Sequence, residues 1–353
     1  MLKQGSNFRS VVLYVMSTAV LMWVLLYAPT PYVAYEPGIA VPVKPMVAIE
    51  EGDELGAGDL LLTAVKLTEP NFLRAIQSVW NSNVELHLKK EVLRGYSKEQ
   101  YAARLNVVMQ GSQNNAIEAA YRYAGLPYET RMEGIIVSDV AAEDEGAFPT
   151  RGSFEAGDQI LGINGDTDFG SGAEWLERLH GSSKDKPLSF EVVRGDKRLS
   201  IAYPAHTLAA AKTDEQLLAA LGIKSLTEMR SIEPTDGHKR LTIAAGAIGG
   251  PSAGLVFALQ SLDLLTEGDL SGGHRIAATG TITIEGNVGP IGGIKQKIVV
   301  ASREGAELFL VPAGNFKEAK AKASSLGTNM KVVSVGTLQE ALEQIEAFEA
   351  ASV

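Results

Sequence analysis

The chain opens on an unbroken apolar run, Val11 to Ala28, that carries no charge. As a helix at ~1.5 Å per residue it covers ~27 Å, about the hydrocarbon thickness of a bilayer. Tyr14, Trp23, Tyr27 and Tyr32 supply aromatic anchors near its ends, Lys3 and Arg9 precede it, and Glu36 is the first charge after it. The excess of basic residues before the run predicts a cytoplasmic N-terminus, with everything after residue 30 outside. A buried core helix and a cleaved signal peptide fit the same run. It is longer than a usual signal h-region, however, and Tyr27-Ala28-Pro29-Thr30-Pro31 is a poor cleavage site. The expectation is a retained single-pass anchor over residues 1–30.

After the anchor the pattern changes several times. Pro29 to Pro45 holds five prolines and predicts an extended stalk. Asp59 to Val65 reads as a strand and Glu69 to Asn81 as a helix. A long helix runs from a capping box at Ser97 and Gln100 to Tyr123. Residues 31–125 are therefore expected to form a stalk and helical region without chemistry of its own.

From 126 to 205 the period shortens to that of strands. Gly134–Val140, Gln159–Ile163, Leu188–Val193 and Lys197–Ile201 alternate, with a short helix over Ala173–Leu179. The stretch Phe154 to Gly165, FEAGDQILGING, and the order of helix and hairpin after it resemble PDZ domains, in the permuted order of bacterial proteases. The resemblance implies capture of an extended peptide on a sheet edge, its carboxylate held by a loop around Met132, Glu133, Gly134 and Ile135. Glu133 beside that loop departs from the pattern. An ordinary β-domain serving as a spacer is the alternative. An Ala-rich linker, His206 to Lys212, and a second capping box from Thr213 to Gln216 lead to the last domain, 213–353.

That domain carries the candidate chemistry. Leu241–Ala245 reads as a strand, followed by Gly246-Ala-Ile-Gly-Gly-Pro-Ser-Ala-Gly254 and an apolar helix to Leu265. A serine at a strand–glycine–helix junction faces free N–H groups and a positive dipole, which suit an oxyanion. A plain helix cap reads the same way. Gly250-Pro-Ser-Ala-Gly254 also satisfies the G-x-S-x-G elbow, but the strand–helix series of an α/β-hydrolase does not precede it. Further on, the strand-like Arg275 to Ile284 contains Thr279-Gly-Thr-Ile. It is followed by Val288-Gly-Pro-Ile-Gly-Gly-Ile-Lys-Gln-Lys-Ile298.

Residues 213–345 resemble the proteolytic domain of the Lon family through the G-P-S-A-G, T-G-x-I and P-I-G-G-hydrophobic-K motifs. The resemblance implies a Ser–Lys dyad of Ser252 and Lys295, at the family separation (295 − 252 = 43), with Thr279 orienting the amine and Gly250 and Ala253 supporting the nucleophile. The lysine must be neutral to act as base, and Ile291, Ile294 and Ile298 could desolvate it. Lys297, two residues on, is expected to point away into solvent. Gly249 stands where ATP-dependent Lon enzymes usually carry an acid. The whole pattern is closest to membrane-bound proteins joining a PDZ domain to a Lon-type domain.

Composition narrows the field. A formal net charge of −10 argues against a nucleic-acid partner, and the chain holds no cysteine and no H-E-x-x-H pair, so no metal or cofactor is expected. No G-x-x-x-x-G-K-[ST] string occurs. The predicted fold is α+β: an N-terminal transmembrane helix, a PDZ-like β-domain and a Lon-type α+β proteolytic domain. The expected activity is ATP-independent serine endopeptidase action on extracytoplasmic proteins, recruited partly by the PDZ-like domain. The expected partners are protein or peptide substrates and the membrane, and the family resemblance adds a hexameric ring. Three alternatives remain open: a membrane-tethered PDZ adaptor with an inert domain, a protease served by a separate ATPase, and a Ser/His/Asp triad using His238 or His274.

Overall fold

A computed structural model describes residues 4–51, 56–141, 154–182, 186–208 and 210–352. The N-terminal part comprises α1 (Gln4–Tyr27), β1 (Tyr32–Pro42), β2 (Val47–Ile49), β3 (Asp59–Thr68), α2 (Phe72–Ser78), β4 (Glu85–Leu88), α3 (Lys89–Leu93) and α4 (Lys98–Tyr123). A second run holds β5 (Tyr128–Val140), β6 (Gln159–Ile163), α5 (Gly172–His180), β7 (Leu188–Arg194), β8 (Lys197–Tyr203), α6 (Asp214–Ala220) and β9 (Ile223–Pro234). Next come β10 (Leu241–Ile243), α7 (Gly254–Leu265), β11 (Arg275–Ala278), β12 (Thr281–Ile282) and β13 (Val288–Gly289). The chain closes with α8 (Ile294–Arg303), β14 (Leu308–Pro312), α9 (Phe316–Leu326), β15 (Lys331–Val335) and α10 (Leu338–Ala350).

The apolar stretch Phe8–Tyr27 of α1 is long and apolar enough to cross a membrane, and none of it is buried in the protein. That removes the core-helix reading.

Residues 31–125 are not a stalk and a separate helical region. A six-stranded sheet runs in the order β15-β14-β11-β3-β1-β4, so N-terminal strands share one sheet with C-terminal ones. Strand β3 lies parallel to β11, with Leu60 opposite Ile276 and Leu62 opposite Ala278. Two of the five prolines that suggested a stalk, Pro37 and Pro42, sit in β1, whose pairing with β3 shifts between Pro37 and Ala40. A proline inside a paired strand is tolerated at such a bulge, because it has no N–H to offer the ladder. Helix α7 is buried over nearly its whole surface, between this sheet and α4. Apolar residues as far apart as Val43, Ile117, Phe257, Leu310 and Ile345 form one core.

The β-unit 128–234 is inserted into that domain. Its sheet runs β8-β7-β6-β5-β9 around Trp175, Phe190 and Tyr203. Arg194 clamps the buried Asp158 through Nε and Nη2, both at 2.7 Å, tying the turn before β6 to the β7–β8 hairpin. The expected boundary near 205–213 falls inside this unit, because β9 pairs with β5 from Tyr128↔Pro234 to Val140↔Ile223. Ion pairs that join the units include Arg230 of β9 with Glu118 of α4 at 2.9 Å and Arg104 of α4 with Asp139 of β5 at 3.1 Å.

The peptide-binding expectation is also corrected. Met132, Glu133, Gly134 and Ile135 lie within β5 rather than in a loop, with Met132 opposite Arg230 and Gly134 opposite Met229 across an irregular step. Ile135 pairs with Ile160 of β6 on one side and Glu228 of β9 on the other. The edge that would receive a peptide is occupied by the chain's own β9. Glu228 also accepts the Gly172 N–H at the start of α5, at 2.7 Å.

Candidate active site

The serine turn is shaped by what packs beneath it. Gly250 has φ 91°, a conformation glycine adopts without strain. Its N–H donates to the Leu105 carbonyl of α4 at 2.9 Å. A Cβ on Gly249 would stand 2.9 Å from Leu105 Cβ, so the approach of α4 leaves no room there for a larger residue. Pro251-Ser252-Ala253 then forms one 3-10 turn leading into α7, with Ala253 buried. The Ser252 carbonyl accepts from the Gly280 N–H at 2.9 Å and from the Thr279 hydroxyl at 3.0 Å. Thr279 therefore fixes the backbone of the serine. It does not orient a lysine amine, as the family resemblance implied.

Helix α8 supplies the group that meets the serine. Gly293 caps it with φ 68°, and a Cβ there would lie 2.6 Å from Val65 Cγ2. Ile294, Lys297, Ile298 and Ala301 then repeat at i, i+3, i+4 and i+7 and turn inward together. The Lys297 amine stands 3.0 Å from Ser252 Oγ and 2.5 Å from the Thr63 carbonyl oxygen. The residue is 2 % exposed. Burial lowers its pKa from the usual lysine range to about 7.

Lys295 is not at the serine. Residues two apart on a helix lie ~200° apart around it, so if Lys297 faces inward Lys295 cannot. Its amine pairs with Glu85 at 2.5 Å and Glu318 at 3.0 Å. Hydrogen bonds to Glu85 and then Glu318 raise its pKa, which is the wrong direction for a base. The expected dyad of Ser252 and Lys295 is thus corrected to Ser252 beside Lys297, at a separation of 297 − 252 = 45. The signal was present in the sequence: Lys297, not Lys295, sits on the stripe of Ile294 and Ile298. The Thr63 carbonyl has no sequence signal at all, because it is a backbone group supplied by the distant β3.

The two histidines are engaged elsewhere. His238 contacts Glu51 at 3.1 Å and His274 contacts Glu307 at 2.9 Å. Next to the serine turn lies a cleft of about 370 Å³, lined by Val108, Ser112, Asn115, Arg230, Pro251 and Ile282 among others. Its walls come from α4, from β9 of the inserted unit and from β12, a combination that sequence order does not suggest.

An amine and a hydroxyl held this way can exchange a proton. A neutral amine gives one N–H to Thr63 and directs its lone pair at the Ser252 hydroxyl, the arrangement of an activated nucleophile. Residues 220–347 match the C-terminal proteolytic domain of Lon protease (S16). That stretch is Lon-like in sequence. Relatives of this Lon-type stretch include the Lon protease of Rickettsia typhi, 38% identical over 104 residues, 29% of this chain and 13% of the relative. The Lon protease of Campylobacter concisus is 32% identical over 123 residues, 33% of this chain and 15% of the relative. That of Haemophilus influenzae is 30% identical over 176 residues, half of this chain and 20% of the relative. The chain thus spans between 13% and 20% of the length of these relatives. The Lon family is one of serine-type peptidases. In this chain its sheet is completed by β1, β3 and β4, outside the matched stretch.

Proposed function

We propose that this chain is a membrane-anchored serine endopeptidase in which Ser252 is the nucleophile and Lys297 its general base. The 3.0 Å contact between a fully buried amine and the serine hydroxyl carries the reading. Ser252 Oγ attacks the scissile carbonyl as its proton passes to Lys297 Nζ. The oxyanion is received by the Ser252 N–H, in the 3-10 turn that leads into α7, where N–H groups lack helical partners. Collapse of the tetrahedral intermediate transfers the Lys297 proton to the leaving amine and leaves an acyl-serine. Water then repeats the sequence, giving its proton to Lys297 and releasing the acid.

A lysine titrating near 7 is about half neutral at neutral pH, so the base is available without a partner group. The chain carries no phosphate-loop motif, which supports cleavage without ATP. Lys3 and Arg9, ahead of the apolar run Val11–Ala28, support an extracytoplasmic location for the catalytic domain. Since β9 fills the edge of β5 and walls the cleft, the inserted unit acts here as part of the substrate cleft rather than as a free peptide receptor.

Hydrolysis of an unfolded protein by the detergent-solubilised full chain tests this. Cleavage is expected from the wild type with or without ATP, and none from Ser252→Ala. Equal cleavage by both, or cleavage only when ATP and an added ATPase are supplied, would overturn the reading.

A further inference from the structure

Helix α2 and the turn after it leave the catalytic domain beside the end of α1. Asn71, its cap, donates through Nδ2 to the Leu26 carbonyl at 3.1 Å, and Thr30 donates to the Pro70 carbonyl at 2.7 Å. These bonds fix the start of α2 against the last turn of the apolar helix, where the chain would leave the hydrocarbon. From there an apolar row points outward: Ile76 is 47 % exposed, Val79 76 % and Trp80 79 %. Their spacing, i, i+3 and i+4, puts them on one face of a helical turn. Exposed Arg74 and Gln77 stand beside them. Three large apolar side chains this exposed are costly in water, and tryptophan favours the headgroup level of a bilayer.

We propose that Ile76, Val79 and Trp80 form a second membrane contact, seated in the interfacial layer of the same bilayer that α1 spans. This rests on the anchor reading of α1. The occupant follows from position: the patch continues the surface of a bilayer-length helix, and hydrogen bonds at Asn71 and Thr30 leave it little freedom to turn elsewhere. The contact would hold the catalytic domain down on the membrane instead of letting it swing from residues 28–31. The same loop is also tied to α9, where Lys322 donates to the Ser82 carbonyl at 3.0 Å and to Asn83 at 2.7 Å.

The chain has no cysteine, so single thiols can be placed at will. Met16→Cys, Val79→Cys and, as a remote control, Asp196→Cys are each labelled with an environment-sensitive fluorophore. The full chain is then reconstituted in phosphatidylcholine vesicles carrying quenchers either near the headgroups or deep in the acyl chains. The expected result is deep quenching at position 16, a blue shift with shallow quenching at position 79, and neither at position 196. Deep quenching at 16 with none at 79 overturns the interfacial contact and leaves the anchor standing. No quenching at either position removes the anchor, and the proposal with it. A blue shift at 79 that appears in detergent and grows with protein concentration assigns the patch to a second copy of the chain, which also overturns it.

Discussion

Lys297 sits on the buried stripe of α8, and among the described residues its acceptors are the Thr63 carbonyl and the Ser252 hydroxyl. Its pKa of about 7 in the fold compares with about 10.4 for an ordinary lysine. Between those values the unfolded chain holds a proton that the folded chain has released. Stability therefore rises with pH across this window, and the burial is most costly at pH 7 and below. Lys297→Met should then raise Tm, by a margin that is widest near pH 6.5 and closes as pH approaches 10.5. Calorimetry of both proteins across that range checks it; a margin independent of pH would mean that the amine is not buried as described. The wild-type kcat/KM should climb through a single limb near pH 7 as the amine becomes neutral. A lysine on a hydrophobic stripe between two isoleucines is visible in sequence as a misfit. Its neighbour Lys295 lies nearer the glycines and matches the motif, but stands off that stripe.

At the scale of elements, the chain's local signals were reliable and its pairings were not. The capping box at Ser97 and Gln100 forms in both directions, because it depends on four consecutive residues. Gln159–Ile163 is a strand as its alternation predicts. Strand β9, by contrast, falls within the expected last domain, 213–353, yet belongs to the inserted unit, since its role depends on β5 and α4. There Arg230 meets the buried Glu118, whose carboxyl is held above its usual range by burial. Arg230→Ala should leave that carboxylate without its partner and destabilise the chain by about 3 kcal/mol, while adding Glu118→Gln should recover part of the loss. Denaturant unfolding of the two variants decides it. Additive losses would show that the pair does not join the units.

For the whole molecule, the decisive contacts are between segments more than two hundred residues apart. The pairing of Asp59 with Arg275 has no local signature, so residues 31–125 could not be assigned to the catalytic domain from patterning alone. The prolines of β1 point away from a paired strand, but Pro37 sits at a bulge and Pro42 at the strand's end. The inserted unit was legible as a unit because its hydrophobic cluster is built almost wholly from residues 135–223. A chain beginning at residue 126 should therefore fail to fold, although it retains the whole matched stretch 220–347, because β1, β3 and α4 supply sheet and core. A chain beginning at residue 29 should fold cooperatively. Circular dichroism and thermal melts separate the outcomes; a folded, cooperative 126–353 fragment would contradict the shared sheet.

The central claim is that the amine serving Ser252 belongs to Lys297 and that Lys295 is a surface ion-pair partner. The direct measurement is kcat/KM for protein hydrolysis by Lys297→Ala and Lys295→Ala, side by side at pH 8. Lys297→Ala is expected to lose activity by roughly 10²–10⁴-fold, the range a positioned general base contributes, and Lys295→Ala to stay within about threefold of the wild type. Loss of activity in Lys295→Ala with retention in Lys297→Ala would contradict the account.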